Sequence, residues 1–410
     1  MFNLSRQDNL NVSTSTITQE AEENLIIKLL SHGNFVEPTK QRKLACYPYA
    51  NTNTKNKLIC DLMKDLWPEK TADILFPVFK KFEVFLTGAG KRGHFVHQFE
   101  VYLLGLNLIL TIKEKKGDIN ILFGEIAEEL IYQTWLLTAT AHDFGYPLQE
   151  AISITEHLSE QYEQLEMHDI SKSYRNIQED KNLILNEIQQ LEIHEEPEIV
   201  VDVQQEIIEA LKFTLNLSEE RVREITEVLI GENKHGYISA IILCRTLMKK
   251  LLETTGHNIE ETKKKPLYHS MLKAIGAIAV HDLPKKEENQ AITKAIVENI
   301  SFNRNPYAFL LFIIDNIQDW SRDLIGSDFY PLYSLEKFSA IASNIELEYV
   351  LRLSIDKWTE EKKKEIMEEN QKREKLLNTA KKPDPSIGMN IILNFKNNIN
   401  DSFPAIALKL

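Results

Sequence analysis

Apolar residues recur at intervals of three and four through 56–66, 71–86, 97–113, 122–141, 202–213, 236–253 and 306–324, the spacing that puts them on one face of an α-helix. The expectation is a mainly α-helical body over about 41–340, preceded by an N-terminal arm, 1–40, whose Ser/Thr-rich residues 13–18 carry no apolar period. Between about 158 and 200 the pattern breaks. The stretch QEDKNLILNEIQQLEIHEEPEI is polar and acidic and reads as a polar helical insertion on the surface of that body. From about 341 the pattern changes again: IELEYVLRLS (345–354) and NIILNFKNN (390–398) alternate with the period of a strand. They flank the charged helix KWTEEKKKEIMEENQKREKLLNTAKK, so 341–410 is expected to form a small C-terminal β-α-β accessory unit.

Composition narrows the class of protein. An apolar share of 43% over 410 residues is enough for a sizeable buried core. No stretch approaches the roughly 18 uncharged apolar residues of a membrane span, and the opening MFNLSRQDNLNVSTSTITQE lacks the apolar centre of a signal peptide. A cytoplasmic protein is therefore expected. Its three cysteines, Cys46, Cys60 and Cys244, lack the paired spacing of a zinc knuckle or a disulfide framework, so any metal must be held by histidine and carboxylate. A formal charge of −13 argues against coating bulk nucleic acid. It leaves room for small phosphorylated substrates, because bound cations can supply positive charge locally.

The histidines carry the chemistry. Five of the eleven, His94, His97, His142, His235 and His281, fall at helix ends or on apolar stretches, where an unpaired imidazole is costly. In WLLTATAHDFGYP an apolar run ends in His142-Asp143, and Gly145 and Pro147 then break the helix. Adjacent ligands at a helix end can grip a hard cation together, although the pair alone also fits a helix-end aspartate beside a core histidine. His97 opens the apolar helix HQFEVYLLGLNLIL; His94, three residues earlier, lies on about the same face and reads either as a proton donor to a leaving oxygen or as a capping or surface histidine. His235 in NKHGYISAIILCRTL starts a helix rich in small residues, and His281 in KAIGAIAVHDLP ends another. Asp315 sits within the apolar run NPYAFLLFIIDNI, where a carboxylate needs a metal or a cation such as Arg322, two turns on. His168-Asp169, in the polar insertion, is assigned no role.

The ordered series His97, His142-Asp143, Asp315 resembles the HD superfamily of metal-dependent phosphohydrolases over about residues 90–325. The family's minimal ligand set is an early histidine, the His-Asp pair and a late aspartate on separate helices. His235 and His281 match the two histidines that its two-metal members insert before the last aspartate. The resemblance implies two divalent cations, Mn²⁺, Fe²⁺ or Mg²⁺, sharing a hydroxide that attacks phosphorus. Asp143 would bridge them, with His97, His142 and Asp315 completing one site and His235 and His281 the other. His94 and Arg322 become candidates for leaving-group protonation and phosphate contact. Tyr146 departs from the HDxGK pattern of cyclic-di-GMP phosphodiesterases and from the HDxGHxP pattern of deoxynucleotide triphosphohydrolases, so neither subfamily is implied. The expected activity is a phosphohydrolase acting on a nucleotide or cyclic nucleotide, with a nucleotide-binding sensor of little or no turnover as the alternative. No membrane partner is expected, and an oligomer is compatible with the sequence. Neither a Walker loop nor a GxSxG elbow is present.

Overall fold

A computed structural model describes residues 94–124, 127–164, 190–193, 199–318, 332–341, 344–352, 359–379, 390–397 and 402–409, with helical residues also at 45, 57–59 and 61. The N-terminal arm, the predicted helix at 71–86, most of 56–66, and Arg322 lie outside the described residues.

The body is helical. Its helices are α1 (His94–Lys116), α2 (Asn120–Phe123), α3 (Glu128–Ala141), α4 (Tyr146–Gln164), α5 (Val203–Leu215), α6 (Glu219–Gly231), α7 (His235–Thr254), α8 (Ile259–Lys263), α9 (Pro266–His281), α10 (Gln290–Asn299) and α11 (Pro306–Ile317). The helix ends follow local chemistry. Three lysines, Lys113, Lys115 and Lys116, close α1 against its negative dipole end, and Asp202 caps α5 by accepting from the Gln205 amide at 3.0 Å. Asn305 caps α11 through the amides of Tyr307 and Ala308, while its own amide donates to the Lys273 carbonyl of α9 at 2.8 Å. Helix α9 is buried along nearly its whole length from Ser270 to His281, which fits its central place against α3, α5, α7 and α11.

Several elements depart from the periodic reading. The run 122–141 is divided because Gly124 turns at φ +59 after Phe123, and α3 begins at Glu128. The run 306–324 stops being helical at Ile317, where Gln318 leaves with ψ 89. Helix α6 was not among the periodic stretches; its signals are the Ser218 cap, accepting from the Arg221 amide, and the acidic first turn of Glu219 and Glu220. The stretch expected as a polar helical insertion opens within α4 and closes as an antiparallel hairpin of β1 (Gln190–Ile193) and β2 (Ile199–Asp202). The β-branched IVVD favours that extended form.

At the C-terminus β3 (Leu332–Ile341), β4 (Asn344–Arg352), β5 (Asn390–Asn397) and β6 (Ser402–Lys409) form a sheet in the order β3-β4-β5-β6, with α12 (Glu360–Thr379) between β4 and β5. Parallel β4 and β5 around α12 are the expected β-α-β unit, and each gains an antiparallel outer strand. The mainly α class with a small β unit holds. β3 was hidden because a bulge between Leu335 and Lys337 breaks its alternation, and β6 because it contains Pro404. Among the described residues no helix is long and apolar enough to cross a membrane.

Candidate metal centre

Five segments deliver one side chain or more to a common point, each at or near a helix end. His97 lies in the first turn of α1, His142 caps the C-terminus of α3, Asp143 follows in the turn before α4, His235 opens α7, His281 closes α9, and Asp315 sits in the last turn of α11. The turn is fixed by backbone bonds from Phe144 to Ala141 and from Tyr146 to Asp143, and by the Gly145 amide donating to Ser239 Oγ at 2.7 Å. A Cβ on Gly145 would stand 2.3 Å from the His235 carbonyl, so only glycine lets α7 approach this closely. Gly236 does the same between α7 and α9: its Cβ would meet the Ile278 carbonyl at 2.7 Å and His281 Nδ1 at 2.8 Å.

The geometry has two halves around one carboxylate. In the first, His97 Nε2 lies 3.3 Å from His142 Nε2 and 3.0 Å from Asp315 Oδ1. In the second, His235 Nε2 lies 3.1 Å from His281 Nε2. Asp143 stands between them, with Oδ2 at 3.8 Å from His97 and Oδ1 at 3.6 Å from His142, 3.2 Å from His235 and 3.8 Å from His281. The sets His97–His142–Asp143, His142–His281–Asp315 and Asp143–His235–His281 each bring donor atoms close enough to share one ion. All are buried or nearly so; solvent reaches the cluster most at Asp315, 18% exposed, and His235, 13% exposed.

The outer hydrogen bonds decide which ring nitrogen faces inward. His142 Nδ1 is 2.8 Å from the Ala139 carbonyl, and His281 Nδ1 is 2.6 Å from the Ile278 carbonyl. Carbonyls only accept, so both rings carry hydrogen on Nδ1 and turn the Nε2 lone pair to the centre. His97 Nδ1 meets the Gln318 amide oxygen at 2.5 Å, and His235 Nδ1 meets Asp282 Oδ2 at 2.8 Å and Gln149 Oε1 at 3.0 Å. Imidazoles held this way, with Nε2 atoms aimed at each other and at carboxylates, form a donor set suited to a borderline or hard cation. The residues present fit a metal, one ion or two.

Charge points the same way. Asp143 and Asp315 stand among the imidazoles, and beside His235 Asp282 and Glu232 flank Lys234, whose ammonium lies 3.4 Å from Asp282 and 3.5 Å from Glu232. Burial drives the His142 pKa down to about 4, so this ring is neutral at pH 7. Burial also opposes charge on His235, but the carboxylates of Asp282 and Asp143 outweigh it and raise that pKa to about 9 in the metal-free chain. Asp282 is held below the ordinary carboxylate range: burial works against its charge, and His235 and Lys234 more than offset it.

A cation needs the His235 lone pair, so uptake at pH 7–8 must expel that ring's proton. Calorimetric titration with Mn²⁺ in buffers of different ionisation heat is expected to show release of about one proton from this ring, with affinity rising with pH and levelling off above about 9. In the metal-free chain the same group contributes stability that is complete below pH 6.5 and lost as pH rises through about 9.

The structure thus brings together His97, His142, Asp143, His235, His281 and Asp315. His94 opens α1, but its side chain lies outside the described residues, as does Arg322. Sequence reasoning missed Gln149, Asp282 and Lys234. Asp282 follows His281 in the chain yet grips the ring and the backbone amide of His235, a pairing that only the packing of α7 against α9 creates. Tyr146 lies edge-on to His235, ring centroids 5.3 Å apart, at the half-buried margin of the cluster. Comparison with known proteins finds no matching family profile, no similar curated protein and no similar solved structure.

Proposed function

We propose that the chain is a metal-dependent phosphohydrolase of the HD type, acting on a phosphoester bond of a nucleotide or cyclic nucleotide. The observation that carries this reading is the placement of two imidazole pairs, Nε2 inward, on either side of the Asp143 carboxylate. The order His97, His142-Asp143, His235, His281, Asp315 along the chain supports the HD assignment. Bound divalent cations supply Lewis-acid activation of water and of phosphoryl oxygens.

The residues of the chain do the rest. Asp143 turns Oδ2 toward His97 and Oδ1 toward His142, His235 and His281, so its carboxylate reaches both halves, as a bridging ligand would. Gln318, Ala139, Ile278 and Asp282 hold the four rings in the ligating orientation, so little reorganisation is needed when metal binds. Without metal the surplus of carboxylates repels a phosphate; two divalent cations held by these residues would reverse the sign of the cluster. The partly exposed edge at Asp315 and His235 is where a phosphoryl group would enter.

A screen of cyclic dinucleotides, cyclic mononucleotides, deoxynucleoside triphosphates and guanosine polyphosphates with Mn²⁺, Fe²⁺ and Mg²⁺ tests the proposal. Hydrolysis of at least one that stops on chelation is the expected result. Metal and nucleotide uptake with no product identifies the nucleotide-binding sensor instead, and the absence of metal uptake rejects both.

A further inference from the structure

The four rings of the cluster are held by different elements. His235 and His281 donate their outer hydrogen bonds to Asp282 and the Ile278 carbonyl, both within the helical body. His97 donates its own to Gln318, the residue that ends α11. Gln318 is fully buried and both ends of its amide are engaged: Oε1 toward His97 Nδ1 at 2.5 Å and Nε2 toward Glu100 Oε2 at 2.7 Å.

That pairing fixes a direction. A carboxylate at Glu100 only accepts, so the amide nitrogen of Gln318 must face it and the amide oxygen must face His97. His97 then carries its hydrogen on Nδ1 and turns its Nε2 lone pair toward His142 and Asp315. One residue before Gln318, the Ile317 carbonyl is among the last carbonyls of α11, which lack helical partners. It accepts a hydrogen bond from the Tyr349 hydroxyl at 2.5 Å. Tyr349 belongs to β4, is fully buried, and stacks on Phe395, its register partner in β5, with ring centroids 5.1 Å apart and planes 16° apart. The ring is clamped by the sheet, and its hydroxyl pins the end of the helix that carries both Asp315 and Gln318.

We infer that the C-terminal sheet unit positions one half of the metal centre, through the Tyr349 hydroxyl, the end of α11 and the Glu100–Gln318–His97 relay, while leaving the His235–His281 half to the helical body. Tyr349, Gln318 and Glu100 are positioning residues. The sheet unit is thereby a lever on the affinity of the first half alone. The inference rests on the reading of the cluster as a metal centre.

Mn²⁺ titration of the full chain, followed by calorimetry and electron paramagnetic resonance, tests it. Tyr349→Phe removes only the hydroxyl and is expected to weaken one of two Mn²⁺ sites by about ten-fold or more while sparing the other. Asp282→Asn is expected to weaken the other site. Equal affinities in Tyr349→Phe and wild type, or equal loss at both sites with a lower melting temperature, would overturn the inference. The relay is also legible without metal, from the ring ¹⁵N shifts of His97. Wild type should show the Nδ1–H tautomer and Glu100→Gln, whose amide at 100 can donate or accept, a mixture; an unchanged tautomer in Glu100→Gln overturns the relay. Should wild type take up no Mn²⁺ yet show this tautomer shift, the relay stands, and the metal reading fails together with the proposed lever on affinity.

Discussion

Asp143→Ala is expected to abolish metal-dependent hydrolysis while leaving the chain helical. The carboxylate lies within 3.8 Å of all four imidazoles and so reaches both halves. Its removal takes away the carboxylate that contacts both His235 and His281, so that half should lose its cation. The first half keeps His97, His142 and Asp315 and should bind more weakly. Loss of one activating cation is worth several kcal/mol of barrier, so a fall of at least about 10³-fold in turnover is expected at about 1.4 kcal/mol per decade. The fold should survive, because deleting one of several clustered carboxylates removes repulsion along with a buried charge. Hydrolysis of an activated phosphodiester, Mn²⁺ stoichiometry and far-ultraviolet circular dichroism measure the three effects. Full activity in a folded variant would reject the assignment of Asp143.

Gly236→Val should damage both the fold and the second half of the centre. At this position α7 and α9 touch through the glycine backbone: even a single Cβ would stand 2.7 Å from the Ile278 carbonyl and 2.8 Å from His281 Nδ1. Neither neighbour can yield cheaply, since the first is helix backbone and the second is a ring already bonded to that same carbonyl. The helices must part, at a cost of about 3 kcal/mol for overpacking a close contact. Parting them also separates the His235 and His281 Nε2 atoms from their 3.1 Å approach. Denaturant unfolding should show the loss of stability, and Mn²⁺ titration should show one site where two are expected of the wild type. Wild-type stability in the Gly236→Val variant would contradict the packing of α7 on α9.

Much of this centre was legible in the sequence for a physical reason. Apolar helices that stop abruptly at a histidine, as at His142 and His281, place a costly group where the chain turns, and Asp315 within an almost wholly apolar helix poses the same problem. The outer hydrogen bonds were not legible. Gln318 meets His97 across 221 residues and Asp282 meets His235 across 47, and neither pairing follows from any local pattern. The sheet behaved likewise: β4 and β5 alternate cleanly, whereas β3 and β6 are an irregular pair of outer strands whose place depends on pairing with the others. The early end of α11 was equally hidden, although it is what frees Gln318 to reach back to His97.

The most direct test of the account is an anomalous difference map from crystals grown with Mn²⁺. Two peaks are predicted, one ringed by His97, His142 and Asp315 and the other by His235 and His281, with the Asp143 carboxylate touching both. A well-diffracting crystal with no peak among these side chains would contradict it.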